Sequence, residues 1–372
     1  MKLGLPGLDA LRGVLALYVL AGHARWLLWE GHATWLQRPH SWVADALERI
    51  LSGFRFGHEA VMVFFVLSGF FIHLRCASDV VAGKVPQFHT GDYLVRRVRR
   101  IVPPFFLALC LTLCADAMGR VIFPALYRGQ TGDELIDRTF QRGGYGLPSV
   151  APALLCLPAS FGRDFGSNGP LWSIAYEVVY YAAYPLWLGL RTRLGMVAYL
   201  LPVMVAGGIV FSRVPGFIGS VFAHYPIWLA GAFLAEKSVR KSLKKSLLIP
   251  AMLVIPLALL VFALSPASKA YLPVAGLFGL SCVLAFGCFS PQLLCSKFVR
   301  LFRWLGVRSY TIYVCHFPLL ALASAGLFSV YGHRPGHGWF ALGAAGLAIG
   351  ITVLLFSACE RRFLNTQGRM PS

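Results

Sequence analysis

Ten long apolar runs divide this chain, at residues 11–29, 58–74, 101–121, 170–190, 195–211, 217–236, 247–265, 271–290, 309–330 and 338–358. Each has the length, about 17–25 residues, with which a helix crosses a hydrocarbon core about 30 Å thick. The pattern predicts an all-α fold, a polytopic membrane protein with about ten transmembrane helices, organised as a single domain over residues 1–372. A further apolar piece, Ala151 to Phe161, is too brief to span and carries two prolines. It is expected to re-enter the membrane or lie on it. The loop from Glu30 to Gly57 carries no catalytic pattern and reads as a cap on the outer surface.

Polar positions inside apolar runs are the informative exceptions, because a polar group facing lipid is costly and belongs in a protein interior or a water-filled cavity. The stretch LDALRGVLALYVLAGHA, Leu8 to Ala24, holds Arg12 and His23 eleven residues apart. On a helix they fall within roughly 20° of one face and about 16 Å apart along the axis. That places the cation near one end and the imidazole near mid-depth. The fourth run repeats polar residues at helical spacing, Ser173, Glu177, Tyr181 and Tyr184, and the ninth does so with Ser309, Tyr313 and His316. Read against the run 309–330, His316 lies about 10 Å from the inner end and is the rival of His23 for the role of base. A buried histidine is also often a hydrogen-bonded core residue, and a buried glutamate a structural carboxyl, so both readings stand beside the catalytic one. Ser68-Gly69 in the second run is a small pair permitting close approach of a helix or ligand, and no G-x-S-x-G elbow surrounds the serine. Residues 195–290 are nearly featureless and read as scaffold.

Composition and charge place the chain in the bilayer. Hydrophobic residues make up 57% and charged residues 13%, with a mean hydropathy of +0.67, against about 25% charged in an ordinary soluble domain. A net charge of +19 is common among nucleic-acid binders, but here 22 of the 34 Lys+Arg fall in alternate loops. They sit on the side that also holds both termini, which the positive-inside rule assigns to the cytoplasm. No aromatic-interleaved basic patch lies on a soluble segment, so nucleic acid is excluded as a partner. Of the nine cysteines only Cys156 falls in an outer loop, and no CxxC or HExxH spacing appears, so neither a disulfide framework nor a metal is expected. A cleaved leader over residues 1–29 fits poorly with Arg12 and His23 in the apolar stretch. The arginines Arg96, Arg97, Arg99 and Arg100 form a topogenic block, yet Arg97 and Arg100, three apart, also share a helical face as two forks suited to phosphate.

Several segments taken in order resemble the acyltransferase-3 family of integral-membrane O-acyltransferases, the polysaccharide and lipopolysaccharide O-acetylase type. They are LDALRG with the later His23, FFVLSGF at 64–70, RRVRRIVP at 96–103, PLWSIAYEVVYY at 170–181, SYTIYVCHFP at 309–318 and the closing Glu360-Arg361. The resemblance implies a ten-helix domain of a bacterial inner membrane. It implies transfer of an acyl group, usually acetyl, from cytoplasmic acyl-CoA to a hydroxyl of an extracytoplasmic or lipid-linked carbohydrate. Arg12, Arg97 and Arg100 are then the residues that bind acyl-CoA, and His23, Glu177 and His316 the catalytic candidates. Ser68, Trp172 and Tyr313 are the substrate-binding candidates. Where the family often has an aromatic before the last-motif histidine the chain has Cys315, and Arg362 replaces a proline often found after the terminal Glu-Arg.

The residues suit this chemistry in their own right. O-acylation needs a base at the acceptor hydroxyl, which imidazole provides with a pKa near 6.5, and cations for coenzyme A phosphates, which arginine provides bidentately. Glu177 is the candidate carboxylate to orient the imidazole. Two other classes compete: a transporter or flippase, which would favour inverted repeats and paired broken helices not seen here, and a polytopic receptor. Within the enzyme class, a secreted small molecule or a lipid is the alternative acceptor.

Overall fold

The structure, a computed structural model, describes residues 3–35, 37, 41–241, 243, 245–265, 270–288 and 296–364. It is almost entirely helical, and a helix falls on each apolar run: α1 Leu5–Leu28, α2 Gly57–Val81, α3 Thr90–Ile122, α4 Trp172–Leu194, α5 Val197–Phe211, α6 Gly216–Val239, α7 Leu248–Leu264, α8 Tyr271–Gly287, α9 Lys297–Tyr331 and α10 Trp339–Ala358. Among the described residues six of these, α1, α2, α3, α6, α9 and α10, are long and apolar enough to cross a membrane. Three more, α5, α7 and α8, are apolar but shorter.

Several helices outrun their apolar cores, which moves residues along the axis. The segment from Lys297, which the hydropathy pattern assigns to an inner loop, is the first part of the 35-residue α9. His316 therefore stands 19 residues, about 28 Å, from the start of its helix. Likewise α1 begins at Leu5 and ends at Leu28, so His23 lies five residues, about 8 Å, from its C-terminal end. Hydropathy marks where a helix meets lipid; backbone hydrogen bonding carries it on into polar sequence.

The chain divides into two compact units. The first comprises Met1–Leu15, His58–Arg96 and Tyr176–Val307; the second comprises Ala16–Gly57, Arg97–Ala175 and Arg308–Ser372. In the first unit, glycines let helices touch backbone to backbone. A Cβ on Gly69 of α2 would lie 1.9 Å from the Trp228 carbonyl oxygen of α6, and one on Gly231 of α6 equally close to that of Val66. The α1 and α9 segments of this unit cross in the same way, where Gly306 meets the Asp9 carbonyl and Gly13 that of Phe302. Small residues at such crossings maximise van der Waals contact where no hydrophobic force drives helices together. α5 packs on α6, and α6 and α7 each pack on α8.

The second unit carries the short helices. Trp42–Ser52 is capped by Ser41, whose side chain accepts from the Ala44 N–H, and Leu51 packs on Trp29 and Trp35 in a small core. Buried Glu48 accepts from the Gly338 N–H at the start of α10. Arg334 ties this cap to the end of α1 through the carbonyl oxygens of Trp26 and Trp29, at 2.9 and 3.3 Å. It also pairs with Asp133 at 2.7 Å. Asp133 itself caps Glu134–Arg142, accepting from the N–H groups of Leu135 and Ile136. The piece expected to lie on or re-enter the membrane forms the helix Leu147–Leu154 and the turns after it.

Candidate active site

In the second unit α1 and α9 bring two histidines together. His23 Nδ1 lies 2.8 Å from His316 Nε2, with the rings stacked at a centroid separation of 5.0 Å and 20° between planes. The far nitrogen of His316, Nδ1, faces two carbonyl oxygens of its own helix, Tyr313 at 2.7 Å and Ile312 at 3.0 Å. A ring nitrogen against carbonyl oxygens must carry its hydrogen, and in a neutral imidazole the other nitrogen is then an acceptor. With both rings neutral, one arrangement remains: His316 donates from Nδ1 to the backbone and accepts at Nε2 from His23 Nδ1–H. His23 Nε2 then carries no hydrogen and has no hydrogen-bond partner among the described residues, the form a general base requires. His316 is fully buried whereas His23 is only half-buried. Only His23 of the pair is therefore accessible, and Phe317 stands edge-on to its ring at 5.2 Å. The two histidines, rivals on the sequence reading, form one device.

The segment before α4 is pinned beside this pair. Asn168 donates from Nδ2 to Thr112 Oγ1 at 3.1 Å and to the Val314 carbonyl at 2.9 Å. Asp116 on α3 accepts from the Ser167 N–H at 2.7 Å, from its hydroxyl at 2.6 Å and from the Tyr145 hydroxyl at 2.7 Å. Burial, and next the Asp116 charge, push the Tyr145 phenol up, so it remains a donor at neutral pH. Tyr313 bonds Ser173 at 2.7 Å and the Pro170 carbonyl at 3.1 Å, which fixes the turn of α9 that carries His316. Trp172 opens α4 and is half-buried. Arg97 and Arg100 lie on α3 ahead of Pro103, both half-buried, while Arg99 between them is exposed, as two residues sharing a helical face require.

The first unit holds the remaining candidates. Arg12 lies 3.8 Å from Asp9 and 6.0 Å from the Phe71 ring centroid. Glu177 accepts from Ser68 Oγ at 2.9 Å and from the Tyr181 hydroxyl, and the buried Trp228 donates its indole N–H to Ser68 Oγ at 3.1 Å. A second network, which the sequence reading passed over, surrounds His73. Its Nδ1 meets the Tyr184 hydroxyl at 3.0 Å and its Nε2 meets Glu236 at 3.2 Å. Glu236 takes a two-pronged contact from Arg191, at 2.9 and 2.6 Å, and a third bond from Tyr199 at 2.9 Å. Asp116 and Glu236 carry the same signal that singled out Glu177, a carboxylate in or at the end of an apolar run. His73, inside the run 58–74, carries the same signal and was passed over; Trp228 and Asn168 have none, because their partners are distant in sequence.

Residues 5–358 match the sequence profile of the family described as "Acyltransferase domain", and the chain belongs to that family of membrane acyltransferases. It is similar to the Bacillus subtilis (strain 168) protein named "Putative peptidoglycan O-acetyltransferase YrhL", with 24% identity over 352 residues. The alignment covers 86% of this chain and 49% of that protein, so the chain spans about half the length of the curated relative it matches. No solved structure matches the chain.

Proposed function

We propose that the protein is a membrane O-acyltransferase that moves an acetyl group from cytoplasmic acetyl-CoA to a hydroxyl of an extracytoplasmic or lipid-linked carbohydrate. In this reading all ten helices span a bacterial inner membrane as one domain, with both termini in the cytoplasm. Family membership supports the reaction type, and the similarity to the B. subtilis protein named as a putative peptidoglycan O-acetyltransferase supports a glycan acceptor and an acetyl group.

The observation that carries the reading is the His23–His316 pair with its bare His23 Nε2. That nitrogen takes the proton of the acceptor hydroxyl as its oxygen attacks the thioester carbonyl. The C–S bond then breaks, and the coenzyme A thiolate recovers the same proton from His23. Throughout, His23 Nδ1–H remains donated to His316, so the positive charge gained at His23 is spread toward the carbonyl oxygens behind it. Arg97 and Arg100, in the same unit, hold the phosphates of the carrier.

The test is direct. Acetyl-CoA should raise the melting temperature of the purified protein, and labelled acetyl should pass from it to peptidoglycan glycan fragments. A transporter or receptor predicts neither. Arg97→Ala or Arg100→Ala should weaken acetyl-CoA binding by about 1.5–3 kcal/mol in a folded protein, with Lys restoring only part, since it lacks the planar fork. Unchanged affinity in both Ala variants would reduce these arginines to topogenic charge.

A further inference from the structure

Ser68 and Glu177 do not make a nucleophile and its base. Ser68 Oγ donates to Glu177 and accepts from the Trp228 indole at 3.1 Å, so its proton and a lone pair are both committed. What the cluster builds is a held carboxylate. Every described hydrogen bond to Glu177 ends on Oε1: one from Ser68 at 2.9 Å and one from Tyr181, which sits one helical turn further along α4. Ser68 and Tyr181 are themselves 3.1 Å apart, so the two donors brace each other. Behind them Trp228 is fully buried and its backbone is locked against Gly69. Oε2 carries no hydrogen bond among the described residues, and the Glu177 side chain is half-buried rather than sealed.

A carboxylate with one oxygen anchored twice and the other open is a preorganised acceptor. Its rotamer is fixed before binding, and it has lone pairs for a hydroxyl donor and no hydrogen to offer. A structural carboxyl in a membrane helix would be expected to have both oxygens satisfied, as Glu236 does with His73, Arg191 and Tyr199. We infer that Glu177, held by Ser68 and Tyr181, is an acceptor-binding residue whose Oε2 receives a hydrogen bond from a hydroxyl of a polyhydroxylated, carbohydrate-type acceptor. This inference rests on the carbohydrate O-acylation reading above and assigns Glu177 to substrate recognition instead of to the orientation of an imidazole. Charge-assisted bonds of this kind raise specificity, because an acceptor lacking the hydroxyl forgoes the contact with the anchored carboxylate.

The experiment measures initial rates of the purified protein with acetyl-CoA and a panel of neutral oligosaccharides and peptidoglycan glycan fragments. Glu177→Gln keeps an oxygen for Ser68 and Tyr181 but removes the charge, and it should raise the acceptor KM by roughly 10- to 100-fold. The acetyl-CoA KM should stay unchanged. Ser68→Ala and Tyr181→Phe each free one side of the anchor and should raise the acceptor KM less. An unchanged acceptor KM in Glu177→Gln, or a fall in kcat with both KM values intact, overturns the inference. If Glu177→Gln does not fold, the Ser68→Ala/Tyr181→Phe double variant decides, and an unchanged acceptor KM there overturns it equally. Stronger binding of amines than of neutral sugars by the wild type would make the site a cation site and also sink it. A wild type that binds acetyl-CoA but acetylates no member of the panel fails the carbohydrate reading itself, which is a different outcome from wild-type activity with an indifferent Glu177 variant.

Discussion

Two buried histidines in this protein have opposite surroundings. His73, in the first unit, has both ring nitrogens engaged, by Tyr184 and by Glu236, and the carboxylate beyond it is itself saturated by Arg191 and Tyr199. His316, in the second unit, also has both nitrogens engaged, but its partner His23 is half-buried and retains a bare nitrogen. The first network closes on itself; the second ends in an imidazole nitrogen with no hydrogen-bond partner among the described residues. A closed polar network in an apolar surrounding fixes helix positions and has no lone pair left for chemistry. An open one pays in stability for the ability to move a proton. Burial of a histidine is thus no guide to its role; where its chain of hydrogen bonds stops is the guide.

The comparison is broken most severely at His23. His23→Ala should lower acetyl transfer by about 10²–10⁴ while acetyl-CoA binding and expression persist, as expected for loss of a general base. Near-normal turnover in that variant would make the open end of the network incidental. The closed network should fail in stability first. Glu236→Ala leaves the Arg191 guanidinium buried without its partner and should cost about 3–5 kcal/mol, read as a drop in melting temperature. Replacing both Glu236 and Arg191 by Leu should recover much of that loss, because the uncompensated charge is removed as well. A Glu236→Ala protein as stable as wild type but inactive would mean that the first network has a chemical role.

The smallest effect sharpens the distinction between a brace and a base. His316→Ala removes the acceptor for His23 Nδ1–H and should slow transfer by roughly 10- to 100-fold, the scale of one charge-assisted hydrogen bond. His316→Gln offers an amide oxygen for the same hydrogen and should regain most of the rate. Equal loss in the two variants would mean that His316 only fills space.

Much of this architecture was legible in the chain. Runs of apolar residues near 20 long can form little but helices in lipid, since no water is there to satisfy an open backbone, and a helix falls on each of the ten. His23, Glu177 and His316 stood out because a polar group in such a run needs a reason. The spacing of Ser173, Glu177, Tyr181 and Tyr184 announced one polar stripe, and each of these residues is hydrogen-bonded in the structure. Residues 195–290, read as featureless scaffold, nonetheless supply Trp228 to the Ser68 cluster and Glu236 to the His73 network.

What only the tertiary structure decided is which polar groups meet. His23 and His316 are 293 positions apart, and the position of each along its helix depended on helix ends in polar sequence that hydropathy does not mark. Composition and periodicity are properties of a segment and its solvent, so one segment suffices to read them. A tautomer, an anchored carboxylate oxygen or a closed ion pair depends on atoms about 3 Å apart contributed by segments far apart in sequence, and it exists only once the helices have packed.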